Sequence, residues 1–135
     1  VTPIRNQGQC GSCWAFAATA SIESLYLMNH NVSSTTINFA EQQIVDCDQG
    51  EAGCNGGGAA QAMNYVKDVD GLENESDYPY TAKNGNCQFK SNLANHNLTA
   101  GARYIFSFPA QPHELKKAIY RQVSTVAVQA NQAAW

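Results

Sequence analysis

Cysteine content restricts the fold of this chain more than any other feature of its sequence. The chain has five cysteines in 135 residues, and they are Cys10, Cys13, Cys47, Cys54 and Cys87. So high a content in a short chain indicates either an oxidising compartment, where disulfides form, or a metal site. Because the number is odd, one thiol stays free if the others pair. Any of the five could be that thiol, and the remaining four could pair in three ways.

The overall composition predicts a folded globular domain. Hydrophobic residues make up 44% of the chain and charged residues 14%, which is unlike a disordered segment. Its net charge of -3 offers no basic surface for nucleic acid or an anionic membrane. No apolar run is long enough to span a bilayer, and the first five residues lack the features of a secretory signal. We therefore expect no nucleic-acid partner and no membrane span.

The first half of the chain has helical periodicity. An alanine-rich stretch after Cys13 carries apolar side chains three or four positions apart, which predicts a buried helix that stops near residues 29–31. Asn38 and Glu41 fit a capping box and predict a short second helix that begins there. A third helix is predicted across residues 59–66, after a glycine-rich turn.

The second half of the chain looks different. Residues 71–100 are rich in turn-forming residues. Two runs of aromatic and β-branched residues, 102–106 and 123–128, predict strands, and Pro112 opens a short helix between them. Helices first and strands later predict an α+β fold and are compatible with two lobes.

Cys13 is the candidate nucleophile. A thiol attacks a carbonyl carbon efficiently only as the thiolate, so a catalytic cysteine needs its anion stabilised. Cys13 lies where a loop is predicted to become a long helix, and the dipole and unpaired N–H groups there favour negative charge. Gly11 and Ser12 are small and let a substrate backbone approach the sulfur. Gln7 could add its side-chain amide to the backbone N–H of Cys13 as a two-donor oxyanion hole.

Three segments of the sequence resemble one known family. Residues 7–16 (QGQCGSCWAF) are similar to the active-site segment of papain-like cysteine peptidases. Residues 53–57 (GCNGG) and 77–80 (DYPY) resemble two further family segments, in the expected order. The similarity extends over nearly the whole chain and is closest to the cathepsin L-like branch. It implies the papain-like two-lobed α+β fold, with a mostly helical left lobe in residues 1–100 and the beginning of the β-rich right lobe in 101–135.

The resemblance also implies a role for each candidate residue. Cys13 is the nucleophile and the free thiol, Gln7 is the oxyanion donor, and the helical lobe carries two disulfides, Cys10–Cys54 and Cys47–Cys87. The substrate-binding residues are Gly11, Ser12, Gly56, Gly57, Gly58, Ala59 and Ala127. The last three form the walls of the pocket for the second substrate residue before the cut. Relatives often have bulkier residues at 58 and 59, so this pocket is expected to be roomy and to prefer Phe, Leu or Tyr. No metal or cofactor is implied.

By this resemblance the protein is a cysteine endopeptidase that works through a thiolate and an acyl-enzyme. Its expected partners are a polypeptide substrate, a propeptide or protein inhibitor, and the missing C-terminal half of the same enzyme. The catalytic histidine and asparagine of the family lie about 130–150 residues beyond the nucleophile. We therefore expect these 135 residues to lack both and to be inactive alone. His30, His96 and His113 are expected to have ordinary surface roles.

Several alternatives stay open at this point. The chain could be a non-catalytic papain-fold relative, a binding module, or a small disulfide-rich structural domain. Four of the cysteines could bind zinc, or Cys10 and Cys13 could form a redox pair. Three sequons, at Asn31, Asn74 and Asn97, are possible glycosylation sites and suit a secreted route. The expected location is lysosomal, vacuolar or extracellular.

Overall fold

The structure, a computed structural model, describes residues 1–98, 112–121 and 123–129. The helices in these ranges are α1 (Cys13–His30), α2 (Glu41–Cys47), α3 (Ala59–Asp68) and α4 (Pro112–Arg121). Single 3₁₀ turns occur at Gly53–Asn55, Ser91–Leu93 and His96–Leu98. Strand pairing within the described residues amounts to two isolated antiparallel bridges, Phe39 with Asn74 and Leu72 with Asn95. The described part of the chain is therefore mostly helical.

The core forms around α1. Ala15 and Ala18 have no exposed surface, and their small side chains let the neighbouring helices approach α1 closely. The helix packs against both α2 and α3. The buried apolar cluster consists of Trp14, Ala15, Ala18, Ile22, Ile37, Phe39, Ile44, Val45, Ala62, Val66, Leu72 and Leu98. Burial on several sides explains the alanine-rich sequence of α1, since a helix enclosed by others needs apolar residues around much of its circumference.

Both ends of α1 lie where the sequence predicts them. The helix begins at Cys13 and ends at His30. Asn31 then adopts a left-handed conformation with φ 50°, and its N–H donates to the carbonyl oxygen of Leu27 at 3.1 Å. Asn is one of the few residues that tolerate this conformation at a helix end.

The predicted capping box of α2 is wrong. The helix begins at Glu41 with Ala40 before it in an extended conformation, not at Asn38. Phe39 is held outside the helix by its bridge to Asn74. The carboxylate of Glu41 accepts from Nη1 of Arg5 at 2.6 Å, so it does not reach back to cap the helix. The contact between Arg5 and Glu41, which lie far apart in the sequence, thus overrides the local capping pattern.

A buried ion-pair network ties the N-terminal segment to α1. Glu23, with no exposed side-chain surface, accepts from Nη2 of Arg5 at 2.6 Å and from the hydroxyl of Thr2 at 2.5 Å. It also accepts from the backbone N–H of Phe39 at 2.8 Å. Burial raises the pKa of Glu41, and its bond to Arg5 works in the opposite direction. This network fixes the segment that leads to Gln7, and sequence patterns alone did not indicate it.

The C-terminal region differs in part from the sequence prediction. The helix expected at Pro112 is present as α4, and proline suits the first turn because its missing N–H would have no helical partner. The strand predicted at 123–128 is wrong, since residues 123–129 have no regular structure. A strand is stable only when another pairs with it, and the pattern contains no information about that partner. The predicted strand at 102–106 and the lobe boundary near residue 100 fall outside the described residues.

Within the described ranges, every helix is too short or too polar to cross a membrane.

Candidate active site

Cys13 is the first residue of α1 and is exposed to solvent with a free thiol. Ser12 precedes it at the cap position, and the first turn of the helix contains no acidic residue. The backbone N–H groups of a first helical turn lack partners within the helix and attract negative charge. The sulfur is therefore accessible and lies beside the N–H groups of a first helical turn.

The other four cysteines form two disulfides. Cys10 is bonded to Cys54 and Cys47 to Cys87, with Cα–Cα distances of 4.6 Å in both pairs. These are the pairs that the resemblance implies. Sulfurs bonded in this way are not zinc ligands, and Cys10 forms no redox pair with Cys13. The alternatives that depended on four free thiols or on a disulfide between Cys10 and Cys13 do not fit this structure.

The nucleophile loop, residues 7–13, lies directly against the 53–57 loop. The N–H of Gly11 donates to the carbonyl oxygen of Cys54 at 2.8 Å, and a Cβ at Gly11 would lie only 2.6 Å from that oxygen. The indole N–H of Trp14 donates to the carbonyl oxygen of Gly53 at 3.0 Å. Together with the disulfide between Cys10 and Cys54, these bonds hold the two loops together.

Gly57 lies against the face of Trp14. A Cβ at this position would lie 2.6 Å from Cδ2 of the indole and 2.8 Å from Oε2 of Glu51. Gly56, beside it, has φ 113°, a conformation that side chains other than glycine rarely adopt. Close packing thus requires glycine at 57, and backbone geometry favours glycine at 56. Gly57 is exposed near the nucleophile loop. Trp14 is 3% exposed, as expected for a core residue.

The residues predicted for the specificity pocket lie at the start of α3. Gly58 caps the helix, and its carbonyl oxygen accepts from the N–H of Ala62 at 3.0 Å. Ala59, the first residue of α3, is half-buried. A side chain at Gly58 would meet only the flexible end of Gln61. Ala127 is exposed in the segment 123–129, and its place on the opposite wall stays a prediction.

Gln7 and Ser12 are joined through Tyr80, a residue to which the sequence pattern assigns no role of its own. Nε2 of Gln7 donates to the carbonyl oxygen of Cys10 at 2.8 Å. The hydroxyl of Tyr80 donates to the main-chain oxygen of Gln7 at 2.7 Å and lies 2.6 Å from Oγ of Ser12. Ser12 has no exposed surface. Contrary to the expectation that it faces substrate, Ser12 supports the loop from inside.

The three histidines make contacts of the kind expected at a surface, and all are exposed. His30 stacks on Tyr26 with ring centroids 4.0 Å apart, at the end of α1 that is opposite Cys13. An 18-residue helix separates its two ends by roughly 26 Å. His96 contacts the carbonyl oxygens of Asp70 and Ser91, and His113 lies 3.1 Å from Nζ of Lys117.

The three sequon asparagines are exposed as well. Asn31 follows the end of α1, and Asn74 lies in the bridge to Phe39 with its side-chain amide donating to Asp77 at 3.3 Å. Asn97 lies in the last 3₁₀ turn. Their glycosylation stays a prediction.

Comparison with known proteins gives one consistent result. A sequence profile described as "Papain family cysteine protease" matches residues 1–135. A viral cathepsin of Autographa californica nuclear polyhedrosis virus is 42% identical over 119 residues, 88% of this chain and 36% of that protein. Procathepsin L of Rattus norvegicus is 42% identical over 121 residues, 88% of this chain and 34% of that protein.

A solved structure supports the same relationship. The digestive procathepsin L2 proteinase from the larval midgut of Tenebrio molitor has a TM-score of 0.66 and 40% identity to this chain. The match covers 70% of this chain and 30% of that structure. The chain therefore spans about a third of the length of the relatives that it matches.

Proposed function

Because the chain belongs to the papain family of cysteine proteases, we propose that the intact protein is an endopeptidase with Cys13 as its nucleophile. The mostly helical described part corresponds to the left lobe of the papain-like fold. One observation carries the proposal: of five cysteines, the single free one is exposed at the N-terminus of the central helix. The thiol is therefore accessible to a substrate and lies at a helix N-terminus, the kind of position in which catalytic cysteines occur.

In this proposal the thiolate of Cys13 attacks the carbonyl carbon of the scissile peptide bond. The carbonyl oxygen becomes an oxyanion, which accepts hydrogen bonds from the backbone N–H of Cys13 and the side-chain amide of Gln7. The C–N bond then breaks, the leaving amine takes a proton from a general acid, and a thioester remains on Cys13. Water, deprotonated by the same group acting as a base, hydrolyses the thioester.

The general acid and base of this scheme would be the family's histidine, oriented by its asparagine, and both would lie outside these 135 residues. His30 is remote from Cys13, and the contacts given above for His96 and His113 do not involve the nucleophile loop. Peptide hydrolysis is accordingly a proposal for the intact protein, and we expect the isolated 135 residues to be inactive.

Substrate would bind as an extended peptide along the loop that contains Gly56 and Gly57, because an exposed backbone there can pair with the substrate backbone. Gly58 and Ala59, with Ala127 opposite, would form the pocket for the second residue before the cut. Small walls leave apolar volume, and filling it is favourable by roughly 25 cal/mol per Å² removed from water. We expect substrates with Phe, Leu or Tyr at this position to be cleaved faster than those with Ala, Asp or Arg.

The proposed partners are a polypeptide substrate, an inhibitory propeptide and protein inhibitors that occupy the same cleft. Two of the similar proteins bear the name procathepsin, which supports the propeptide. The two disulfides support an oxidising environment, as in secreted, lysosomal or vacuolar proteins. No insertion that could block the cleft is recognisable between Cys47 and Cys87, which favours endopeptidase over exopeptidase action.

The experiment is stoichiometric alkylation of the intact protein with iodoacetamide, followed by peptide mapping and a peptidase assay. We expect one label, on Cys13, and loss of hydrolysis in proportion to labelling. Labelling that persists at the same rate in Cys13→Ser, or hydrolysis that survives complete labelling, would refute the assignment. A reactive Cys13 in a protein that cleaves no peptide would favour the alternative of a non-catalytic papain-fold relative.

A further inference from the structure

Tyr80 connects the two ends of the nucleophile loop, although it lies 73 and 68 residues away in sequence. Its hydroxyl is 2.7 Å from the main-chain oxygen of Gln7 and 2.6 Å from Oγ of Ser12. Gln7 would supply the oxyanion donor, and Ser12 immediately precedes the nucleophile. The hydroxyl of Tyr80 therefore contacts both the proposed oxyanion donor and the residue that precedes the proposed nucleophile.

The direction of these two hydrogen bonds follows from the available protons. A carbonyl oxygen only accepts, so the one proton of the Tyr80 hydroxyl is used by Gln7. The hydroxyl of Ser12 must then donate to the oxygen of Tyr80. Because Ser12 is completely buried, leaving its proton unpaired would be costly. The result is a directed chain in which Ser12 donates to Tyr80 and Tyr80 donates to Gln7.

The position of Tyr80 is itself fixed relative to α1. Its ring contacts the ring of Phe16 edge-on, with centroids 4.9 Å apart and an interplanar angle of 86°. Phe16 belongs to the first turn of α1, three residues after Cys13. The backbone N–H of Tyr80 donates to Oε1 of Glu75 at 2.8 Å. Tyr80 therefore fixes the backbone of Gln7 relative to the first turn of α1.

The side chain of Gln7 depends on that backbone position. One N–H of its amide donates to the carbonyl oxygen of Cys10, which sets the orientation of the amide, and an amide nitrogen has a second N–H to offer. A displacement of about 1 Å at a catalytic group can reduce the rate about a hundredfold. The rate of acylation therefore depends on where the Gln7 backbone is held.

From these contacts we infer that Tyr80 is a positioning residue for the oxyanion donor Gln7. The inference rests on the proposed function. Its hydroxyl touches neither substrate nor sulfur in this role; it holds the main chain of Gln7 at a fixed distance from the start of α1. Tyr80 should therefore affect the acylation rate through Gln7 and leave the reactivity of the thiol toward simple alkylating reagents unchanged.

The test compares two tyrosine variants of the intact protein. Tyr80→Phe removes the bond to Gln7. Tyr78→Phe is the matched control, because the Tyr78 hydroxyl bonds Oδ2 of Asp46 and the N–H of Gln88, both at 3.0 Å. We expect Tyr80→Phe to lower kcat/KM for a peptide substrate about tenfold, through a lower kcat. This loss is smaller than the hundredfold or greater loss expected when an oxyanion donor is deleted, because Gln7 is displaced and not removed. Tyr78→Phe should lower the unfolding temperature and leave kcat unchanged.

Two further measurements separate positioning from a merely structural role. Alkylation by iodoacetamide forms no oxyanion, so its rate should be the same in Tyr80→Phe and wild type. In a double-mutant cycle, Tyr80→Phe should have no further effect in a Gln7→Ala background. Ser12→Ala keeps the bond from Tyr80 to Gln7 and should cost less in kcat than Tyr80→Phe.

Three results would overturn the inference: equal losses of acylation and alkylation in Tyr80→Phe, unchanged kcat in Tyr80→Phe, or fully multiplicative effects in the cycle. An unchanged acylation rate in Gln7→Ala would refute the oxyanion role and this inference with it. Absence of any hydrolysis that depends on Cys13 would instead refute the proposed function itself.

Discussion

At the scale of single residues, the site depends on places where two groups pack too closely to allow any other side chain. Gly11 touches the backbone of Cys54 and Gly57 touches the indole of Trp14. Trp14 cannot move away easily, since it is buried and its N–H is bonded to Gly53. These glycines and the tryptophan therefore determine together how near the 53–57 loop lies to Cys13.

Gly57→Ala should be far more costly than the same change one residue later. The new methyl group would lie 2.6 Å from Cδ2 of Trp14, so the loop or the indole must shift, which typically costs about 1–3 kcal/mol of stability. At Gly58 the new methyl group would meet only the end of the Gln61 side chain, which can rotate away. Chemical denaturation of the two variants measures the difference; equal stabilities would show that the contact with Trp14 is not restrictive.

Sequence reasoning at this scale is most informative where a short motif carries the information. Cys13 and Gln7 lie within ten residues of one another, and one local segment nominates both. The free thiol at the start of α1 is found where that segment predicts it, and the catalytic roles of both residues stay predictions. The disulfide partners could not be chosen from spacing, because four cysteines pair in several ways, and they came from the resemblance alone. The segment 77–80 was recognised by its resemblance, but the role of Tyr80 within it was missed because that role arises from contacts with Gln7 and Ser12, which lie far away in the chain.

At the scale of elements, local sequence patterns predicted helices well. They predicted poorly those features that depend on a contact with a residue distant in the sequence. Both ends of α1, the start of α3 at Ala59 and the start of α4 at Pro112 lie where periodicity and helix-start residues predict them. The start of α2 was misplaced because Arg5 binds Glu41, and the strand at 123–128 failed because nothing in a strand pattern specifies its partner. Interactions with distant residues decided both cases.

His96 links the turn after α3 to the 3₁₀ turn that begins at Ser91. Nδ1 lies 2.5 Å from the carbonyl oxygen of Asp70, and Nε2 lies 2.9 Å from that of Ser91. Carbonyl oxygens only accept, so both contacts are hydrogen bonds only when both ring nitrogens carry protons. The bonds to the carbonyls of Asp70 and Ser91 raise the pKa of His96, and the Asp70 carboxylate, 3.5 Å away, adds to the effect.

The resulting pH dependence has a definite sign. A pKa that is higher in the folded than in the unfolded state means that protonated His96 stabilises the fold. Its contribution is complete below the unfolded pKa of about 6.5 and is lost as the pH rises through the higher folded pKa. The unfolding temperature of wild type minus that of His96→Gln, measured from about pH 5 to pH 8, should therefore be largest at the acidic end. A difference that stays constant or grows with pH would contradict this role.

At the scale of the whole molecule, residues 1–98 contain a helical body in which α2 and α3 pack against the central helix α1. The central helix carries the proposed nucleophile, Cys13, at one end, and its buried Glu23 binds the segment that leads to Gln7. One disulfide joins the nucleophile loop to the 53–57 loop, and the other joins the end of α2 to Cys87. The proposed nucleophile, the proposed oxyanion donor and the proposed substrate-binding glycines are thus assembled within the first 98 residues.

The central claim is that peptide hydrolysis passes through a thioester on Cys13. The most direct measurement is acid quenching of the intact protein during turnover of a slowly deacylated peptide ester, followed by intact-mass measurement and peptide mapping. We predict a mass increase equal to one acyl group, located on the peptide that contains Cys13 and absent from Cys13→Ser. Turnover without an acylated Cys13, or an acyl group found on another residue and retained in Cys13→Ser, would contradict the account.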